Sequence, residues 1–172
     1  MLCRSCALSL TRRQEVPGRG VKPADLLIVG EAPGKSEDMR GEAFVGKSGR
    51  ILNAIIEQAM IEAGITTTPT YYITNVVRCR PCDSKQGPNR EPTESEALAC
   101  RPLLIATFSE VRPREVILLG QIAKKHCGRL WPTATKLPHP AYMLRRGGVE
   151  SPEFIVAVRA VSEIFKRLSG GK

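Results

Sequence analysis

A three-layer α/β/α sandwich around a mostly parallel four-stranded sheet is the fold class predicted for this 172-residue chain. Three observations predict it. Short β-branched apolar runs alternate with longer segments whose apolar residues recur at helical spacing, the pattern of a parallel sheet covered by helices. Glycine stops two of the apolar runs, at Gly30 and Gly120, as expected where a buried strand enters a loop. Helix-start signals, at Ser48, at Thr93 with Glu96 and at Ser151 with Pro152, open the longer segments.

Taken in order, residues 1–23 are polar and carry Pro17, Gly18, Gly20 and Pro23, so they read as an irregular arm of a single domain spanning 1–172. Leu26 to Val29 is a buried strand halted by Gly30, and Lys35 to Arg40 reads as a polar loop. Ser48 caps a helix with Ile51, Leu52, Ile55, Ile56, Ala59 and Met60 on one face, ending at Gly64. Tyr71 to Val77, β-branched and aromatic, is the second strand. After a loop rich in Pro, Gly and Arg, the Thr93 and Glu96 capping box starts a helix reaching about Phe108, with Pro102 expected to kink it. Val116 to Leu119 is the third strand, followed by a short helix from Gln121 towards Cys127. Ala134 to Leu137 forms a fourth strand running into His139 and Pro140. Phe154, Val158, Val161, Phe165 and Leu168 then share one face of a last helix opened by Ser151 and Pro152.

A chain that is 42% hydrophobic and 25% charged is neither disordered nor membrane-embedded. No run of about 18 apolar residues exists to span a bilayer, and a cysteine at position 3 leaves no room for a signal peptide, so the expected location is the cytoplasm. Lys and Arg outnumber Asp and Glu by 26 to 17, a net charge of +9. That excess suits a polyanionic partner such as nucleic acid, although it equally describes a solvated basic surface.

Ligands of open parallel sheets bind outside the carboxyl ends of the strands. Those ends carry Gly30 with Glu31, Asn75, Gly120, and His139 with Pro140, so an acid, an amide and an imidazole are expected to converge on one crevice. Gly41 to Ser48 also matches the phosphate-loop pattern GxxxxGK[ST]. Such a loop needs a strand directly before its first glycine. The polar segment ahead of Gly41 supplies none, which argues against a phosphate-loop ATPase.

Cys3 with Cys6 and Cys79 with Cys82 are two CxxC pairs, the spacing of a four-cysteine zinc site. Cys100 competes with Cys82 for the fourth place, and an iron-sulphur cluster takes four thiolates as well. Cys127, on an apolar helix face, reads as a small buried side chain.

Several of these runs fall into one order. Gly30-Glu31-Ala32-Pro33-Gly34, Glu37-Asp38, Gly41 and Phe44-Val45-Gly46 are followed by Thr74 through Pro81, then Asn89-Arg90, Pro92, Cys100 and Pro102. His139-Pro140-Ala141-Tyr142 with Leu144-Arg145 closes the series. Together they resemble the family 4 uracil-DNA glycosylases over nearly the whole chain. Ala43 stands where that family usually has Pro, the Cys79 to Cys100 loop is longer and the Gly120 to His139 stretch shorter.

The resemblance implies a monofunctional hydrolase of base excision repair that flips uracil out of DNA and leaves an abasic site. It implies a four-iron, four-sulphur cluster on Cys3, Cys6, Cys79 and Cys100, with zinc as the alternative, and a cluster that ties down the 1–23 arm. A Lys-Arg-Arg-Ile-His insertion found in relatives that bond covalently to uracil sites is absent, so hydrolysis is expected. Uracil-containing DNA, single- or double-stranded, is the implied partner of a monomer, with a sliding clamp as a further one.

The residue types suit that chemistry. A flipped base must be stacked on and read at its edge, which assigns Phe44 as platform and Asn75 as the reader of uracil N3 and O4, with Gly30 and Glu31 also expected at the base and the glycine allowing close backbone approach. His139 is the donor to the developing charge at O2. Glu31 first, then Glu37, are the carboxylates expected to position water. Asn89, Arg90, Tyr142, Leu144 and Arg145 are assigned to DNA, with Tyr142 to Arg145 following His139 into the minor groove. The competing readings are a DNA-binding iron-sulphur protein of the same fold without turnover or with altered specificity, and, least favoured, the phosphate-loop ATPase.

Overall fold

The structure, a computed structural model, describes residues 3–170; the ends of the expected 1–23 arm and 1–172 domain, at 1–2 and 171–172, lie outside the described residues. The sheet has five strands in the order β1-β3-β2-β4-β5. The four expected strands are β2 (Leu26–Gly30), β3 (Tyr71–Asn75), β4 (Glu115–Leu119) and β5 (Thr135–Leu137), all parallel to one another. The fifth is a correction to the irregular arm: β1 (Arg19–Gly20) pairs antiparallel with β3. Gly20 permits this pairing with a φ of +116°, and a side chain there would strike the Tyr71 carbonyl.

Period-2 alternation in the central strands builds both faces. Leu26, Ile28, Ile73, Ile117 and Leu119 face a layer made by α3 (Lys47–Ala63), α6 (Pro140–Arg145) and α7 (Pro152–Ser169), contributing Ile51, Ile55, Met143 and Phe165 among others. Leu27, Val29, Tyr72, Val116 and Leu118 face the opposite layer, built from α1 (Leu8–Thr11), α4 (Glu94–Val111) and α5 (Gly120–Cys127). Cys127 is buried in that second layer. Among the described residues no helix is long and apolar enough to cross a membrane.

Helix boundaries follow their caps. The Thr93 hydroxyl accepts the Glu96 N–H at 3.2 Å while Glu96 Oε2 accepts the Thr93 N–H at 2.8 Å, the reciprocal pair expected of a capping box. The helix runs past Phe108 and through Pro102 to Val111. At α3 the cap is Gly46, and Ser48 lies inside the first turn without capping. Lys35–Arg40, expected to be a loop, is the short helix α2. Its amphipathic pattern is too brief to register, and it is held by Glu37, whose Oε2 accepts the Gly34 N–H at 3.1 Å. The segment before the phosphate-loop match is therefore helical, so the strand that such a loop requires is replaced by α2.

Gly49 decides how closely α3 approaches the loop before it, because a Cβ there would overlap the Phe44 carbonyl oxygen. Backbone cannot swing aside as a side-chain tip does. Gly49→Ala is expected to destabilise the fold by about 3 kcal/mol, the upper end of ordinary overpacking costs. Thr93→Ala, which loses the cap bond and an exposed contact with the Ser95 hydroxyl, should cost about 1 kcal/mol. Urea unfolding midpoints of the two variants measure the contrast.

Candidate active site and cysteine pocket

The strand ends open onto one cavity of about 740 Å³, on the side where β2 is flanked by β3 and β4. Of the residues assigned from sequence, Glu31, Glu37, Phe44, Asn75, Asn89, Arg90, His139, Tyr142 and Arg145 line it. Gly30 lies beneath, where a Cβ would come within 2.5 Å of the Phe44 ring and 2.6 Å of Asn75 Oδ1. Leu144 is not part of the lining and is exposed on α6.

Asn75 ends β3, opposite Gly30 in register, and is 2% exposed. Its Oδ1 is buried without a hydrogen-bond partner. An unmet acceptor of this kind costs about 1–3 kcal/mol unless a ligand meets it. Phe44 reaches over the same spot from a left-handed backbone with φ 56°, and its ring centroid lies 6.1 Å from that of His139.

His139 caps α6. Its Nδ1 accepts the Ala141 N–H at 3.1 Å, so in the neutral ring the proton resides on Nε2, which is left as a donor. Burial, reinforced by the positive charge of Arg145, pushes its pKa down to about 4. Gly120, with φ +85°, leaves room for the ring, since a Cβ would lie 2.9 Å from His139 Cβ.

The two candidate carboxylates differ sharply. Glu31 follows β2, and burial, with the negative charge of Glu91 adding to it, pushes its pKa up. Glu37 is committed on both oxygens: Oε1 accepts the Gly46 N–H at 2.7 Å and Oε2 the Gly34 N–H. Asn89 and Arg90 are likewise tied to the frame. Asn89 Oδ1 accepts from Arg80 Nε at 2.6 Å. The Arg90 guanidinium forks onto Glu96 at 2.8 and 2.9 Å, and its Nε donates to Asp83 Oδ1 at 2.8 Å. These bonds raise the Arg90 pKa and lower that of Glu96. Tyr142 is exposed, with the Arg145 guanidinium 6.0 Å from its ring centroid.

Arg80, Lys47 and Ser48 are among the contributors that the sequence does not assign to the site. Arg80 is 2% exposed and binds the Lys85 carbonyl at 3.1 Å and the Gly87 carbonyl besides Asn89, so it shapes the whole 81–90 loop. Nothing in the sequence separates it from the other arginines of a basic chain. Lys47 and Ser48 also line the cavity, at the first turn of α3. The phosphate-loop match had flagged them for another chemistry.

Cys3, Cys6, Cys79 and Cys100 line one further pocket, walled by Leu8, Val77 and Leu103. Cys82 is absent from its lining and instead donates to the Arg80 carbonyl at 3.7 Å. All six cysteines are free thiols. Burial raises the Cys79 pKa and pushes that of Cys100 up to about 11, so these sulphurs need a cation to become thiolates. Among the described residues no three His, Cys, Asp or Glu side chains are close enough together to hold a single metal ion. Four thiols lining one pocket are a donor set of the chemistry that an iron-sulphur cluster or zinc takes. The arm carrying Cys3 and Cys6 is held independently too, with the Val16 N–H donating to the Arg78 carbonyl at 2.7 Å and the Thr74 hydroxyl to that of Pro17 at 2.7 Å.

A buried amide, an aromatic ring and a neutral imidazole thus meet in one crevice at the strand ends of an α/β/α sandwich. Residues 17–161 match the profile of the Uracil DNA glycosylase superfamily, and the chain belongs to that superfamily, in its type-4 branch. It is 39% identical over 119 residues to a type-4 uracil-DNA glycosylase of Saccharolobus solfataricus, covering 69% of this chain and 51% of that protein. The type-4 enzymes of Archaeoglobus fulgidus and Pyrobaculum aerophilum are 34% and 40% identical, over 86% and 72% of this chain and 71% and 58% of theirs. The chain thus spans about half the length of the first of these relatives.

The His139 hydrogen bond makes a pH prediction. The unfolded chain takes up a proton at this imidazole near 6.5 and the folded chain only near 4. Its contribution therefore leaves stability untouched above pH 6.5, lowers it as pH falls across that interval and levels off below 4. In ¹⁵N-resolved NMR spectra the His139 ring is expected to keep the Nε2–H signature down to about pH 5. Titration of that signal near 6.5 would contradict the buried neutral tautomer.

Proposed function

We propose that this protein is a uracil-DNA glycosylase that excises uracil by hydrolysis and leaves an abasic site. The observation that carries the reading is the buried, unpartnered Asn75 Oδ1 beneath the Phe44 ring and across from the His139 donor. The carbonyl oxygen accepts uracil N3–H while the amide nitrogen donates to O4. Cytosine presents the reverse pattern and would leave that acceptor unmet.

In the proposed reaction Phe44 stacks on the extruded base and His139 Nε2–H points at O2. A water attacks the sugar C1′ as the C1′–N1 bond breaks, and the bonding pair leaves with uracil, where His139 stabilises the charge at O2. The water proton passes to Glu31, whose raised pKa favours proton uptake and which, unlike Glu37, is not committed to the Gly34 and Gly46 amides. Glu37 is then a positioning residue, since both its oxygens hold backbone amides. Arg90 serves the frame in the same way. Tyr142, Leu144 and Arg145 are left to contact DNA, with the exposed Leu144 suited to fill the gap vacated by the flipped base.

Cys3, Cys6, Cys79 and Cys100 would hold a [4Fe-4S] cluster, with zinc the alternative. Such a group supplies rigid cross-linking of the arm to the strand end that carries Asn75, four residues before Cys79.

Uracil-containing oligonucleotide is expected to yield alkali-labile sites. His139→Ala should lose about 10²–10³ in single-turnover rate while still binding DNA; full activity in that variant refutes its role. Equal binding of uracil and thymine DNA without base release would favour the non-catalytic reading. Cys100→Ser is expected to bleach a brown protein and lower its unfolding midpoint, whereas Cys82→Ser should do neither. A colourless, zinc-loaded wild type would overturn the iron assignment.

A further inference from the structure

Arg12, 9% exposed, places its guanidinium inside the cysteine pocket. Its Nη1 donates to Cys79 Sγ at 2.9 Å, and its Nη2 donates to the Cys3 carbonyl oxygen at 2.5 Å. Glu15 completes the arrangement, with Oε1 3.4 Å from Arg12 Nη2 and accepting the Cys3 N–H at 2.6 Å. The side chain is thus fixed at three points.

The sulphurs are not treated alike. Cys100 Sγ accepts the neutral Arg78 N–H at 3.3 Å, and the Cys3 thiol donates to the Ser5 hydroxyl at 3.4 Å. Among these bonds Cys79 alone receives a charged donor. A charged donor is roughly twice as strong as a neutral one, and it gains further when its acceptor becomes more negative. Hydrogen bonds to the sulphurs are among the factors that set an iron-sulphur potential. Leu8, Val77 and Leu103 keep the pocket apolar, which strengthens the effect of a fixed charge.

We propose that Arg12 tunes the cluster: its charged hydrogen bond to Cys79, held in place by the Cys3 carbonyl and Glu15, stabilises the reduced state and sets the reduction potential. The proposal rests on reading the four cysteines as iron-sulphur ligands. Arg12 is a positioning residue with an electrostatic role and has no part in the cavity that holds the base. Neither glutamine nor lysine at this position can preserve the charged, forked bond. Glutamine removes the charge, and a lysine ammonium drawn to Glu15 and the Cys3 carbonyl loses the fork that also reaches Cys79.

The test is protein-film voltammetry on holoprotein, wild type against Arg12→Gln and Arg12→Lys, with iron content and visible absorbance recorded for each. Arg12→Gln is expected to move the potential negative by at least a tenfold change in the reduced-to-oxidised ratio, 59 mV for a one-electron couple. Arg12→Lys should move it the same way by less. A wild-type potential in whichever variant carries its full iron overturns the proposal, and the lysine variant decides if the glutamine one fails to load. A wild type without iron overturns the cluster reading itself, which separates the two failures.

Discussion

The pairing of Gly30 with Asn75 at the carboxyl ends of β2 and β3 fixes where every other part of the site can go. The ladder aligns the two strand ends, and β2 cannot shift because β4 holds its other edge. Gly30 then contributes only backbone. That bare spot lets the Phe44 ring and the Asn75 amide close over the same few ångströms, where any side chain would meet both. Two unfavourable features are held there together: the left-handed backbone of Phe44 and the unmet acceptor of Asn75. Each costs on the order of 1–3 kcal/mol, and such costs collect where a ligand is to be met.

Around that spot, buried charge is spent mostly on holding loops. Glu37 joins the Gly34 turn to the Gly46 turn, Arg80 gathers the carbonyls of the 81–90 loop, and Arg90 forks onto Glu96. The last pair also spans the two pockets, since Glu96 lines the cysteine pocket and Arg90 the cavity. Anything that orders the cysteines is therefore mechanically continuous with the wall of the cavity. A partly exposed ion pair adds little stability by itself. Its bidentate geometry does fix a direction.

Much of this was legible in the sequence, and the limits have physical causes. The four main strands and the long helices are periodic and capped, so Leu26 to Gly30 and the Thr93–Glu96 box are readable from residues alone. Elements α2 and β1 are too short to show a period, and they exist because of tertiary partners: the Glu37 carboxylate and the edge of β3. The strand-end rule brought Glu31, Asn75 and His139 to one cavity. It pointed to Glu31 ahead of Glu37, but not to the Gly34 and Gly46 amides that occupy both Glu37 oxygens, because those partners meet only in the folded loops. Arg90 shows the same limit, since a sequence displays a charge and not its counter-charge.

His139 shows how a local structural role can fix the hydrogen-bonding state of a side chain. A histidine before proline is ordinarily a turn cap, and here it is one, with Nδ1 taking the Ala141 N–H. That bond removes the acceptor of the ring and leaves Nε2 as its donor. Burial keeps the ring neutral over the physiological range, because a proton on Nδ1 would have to displace the cap bond in a site that disfavours charge. In the proposed reaction such a neutral donor gives up no proton in the ground state and needs no reorientation as charge accumulates. The cap and the donor are two ends of one imidazole, so the hydrogen bond that starts α6 also fixes which nitrogen faces the cavity.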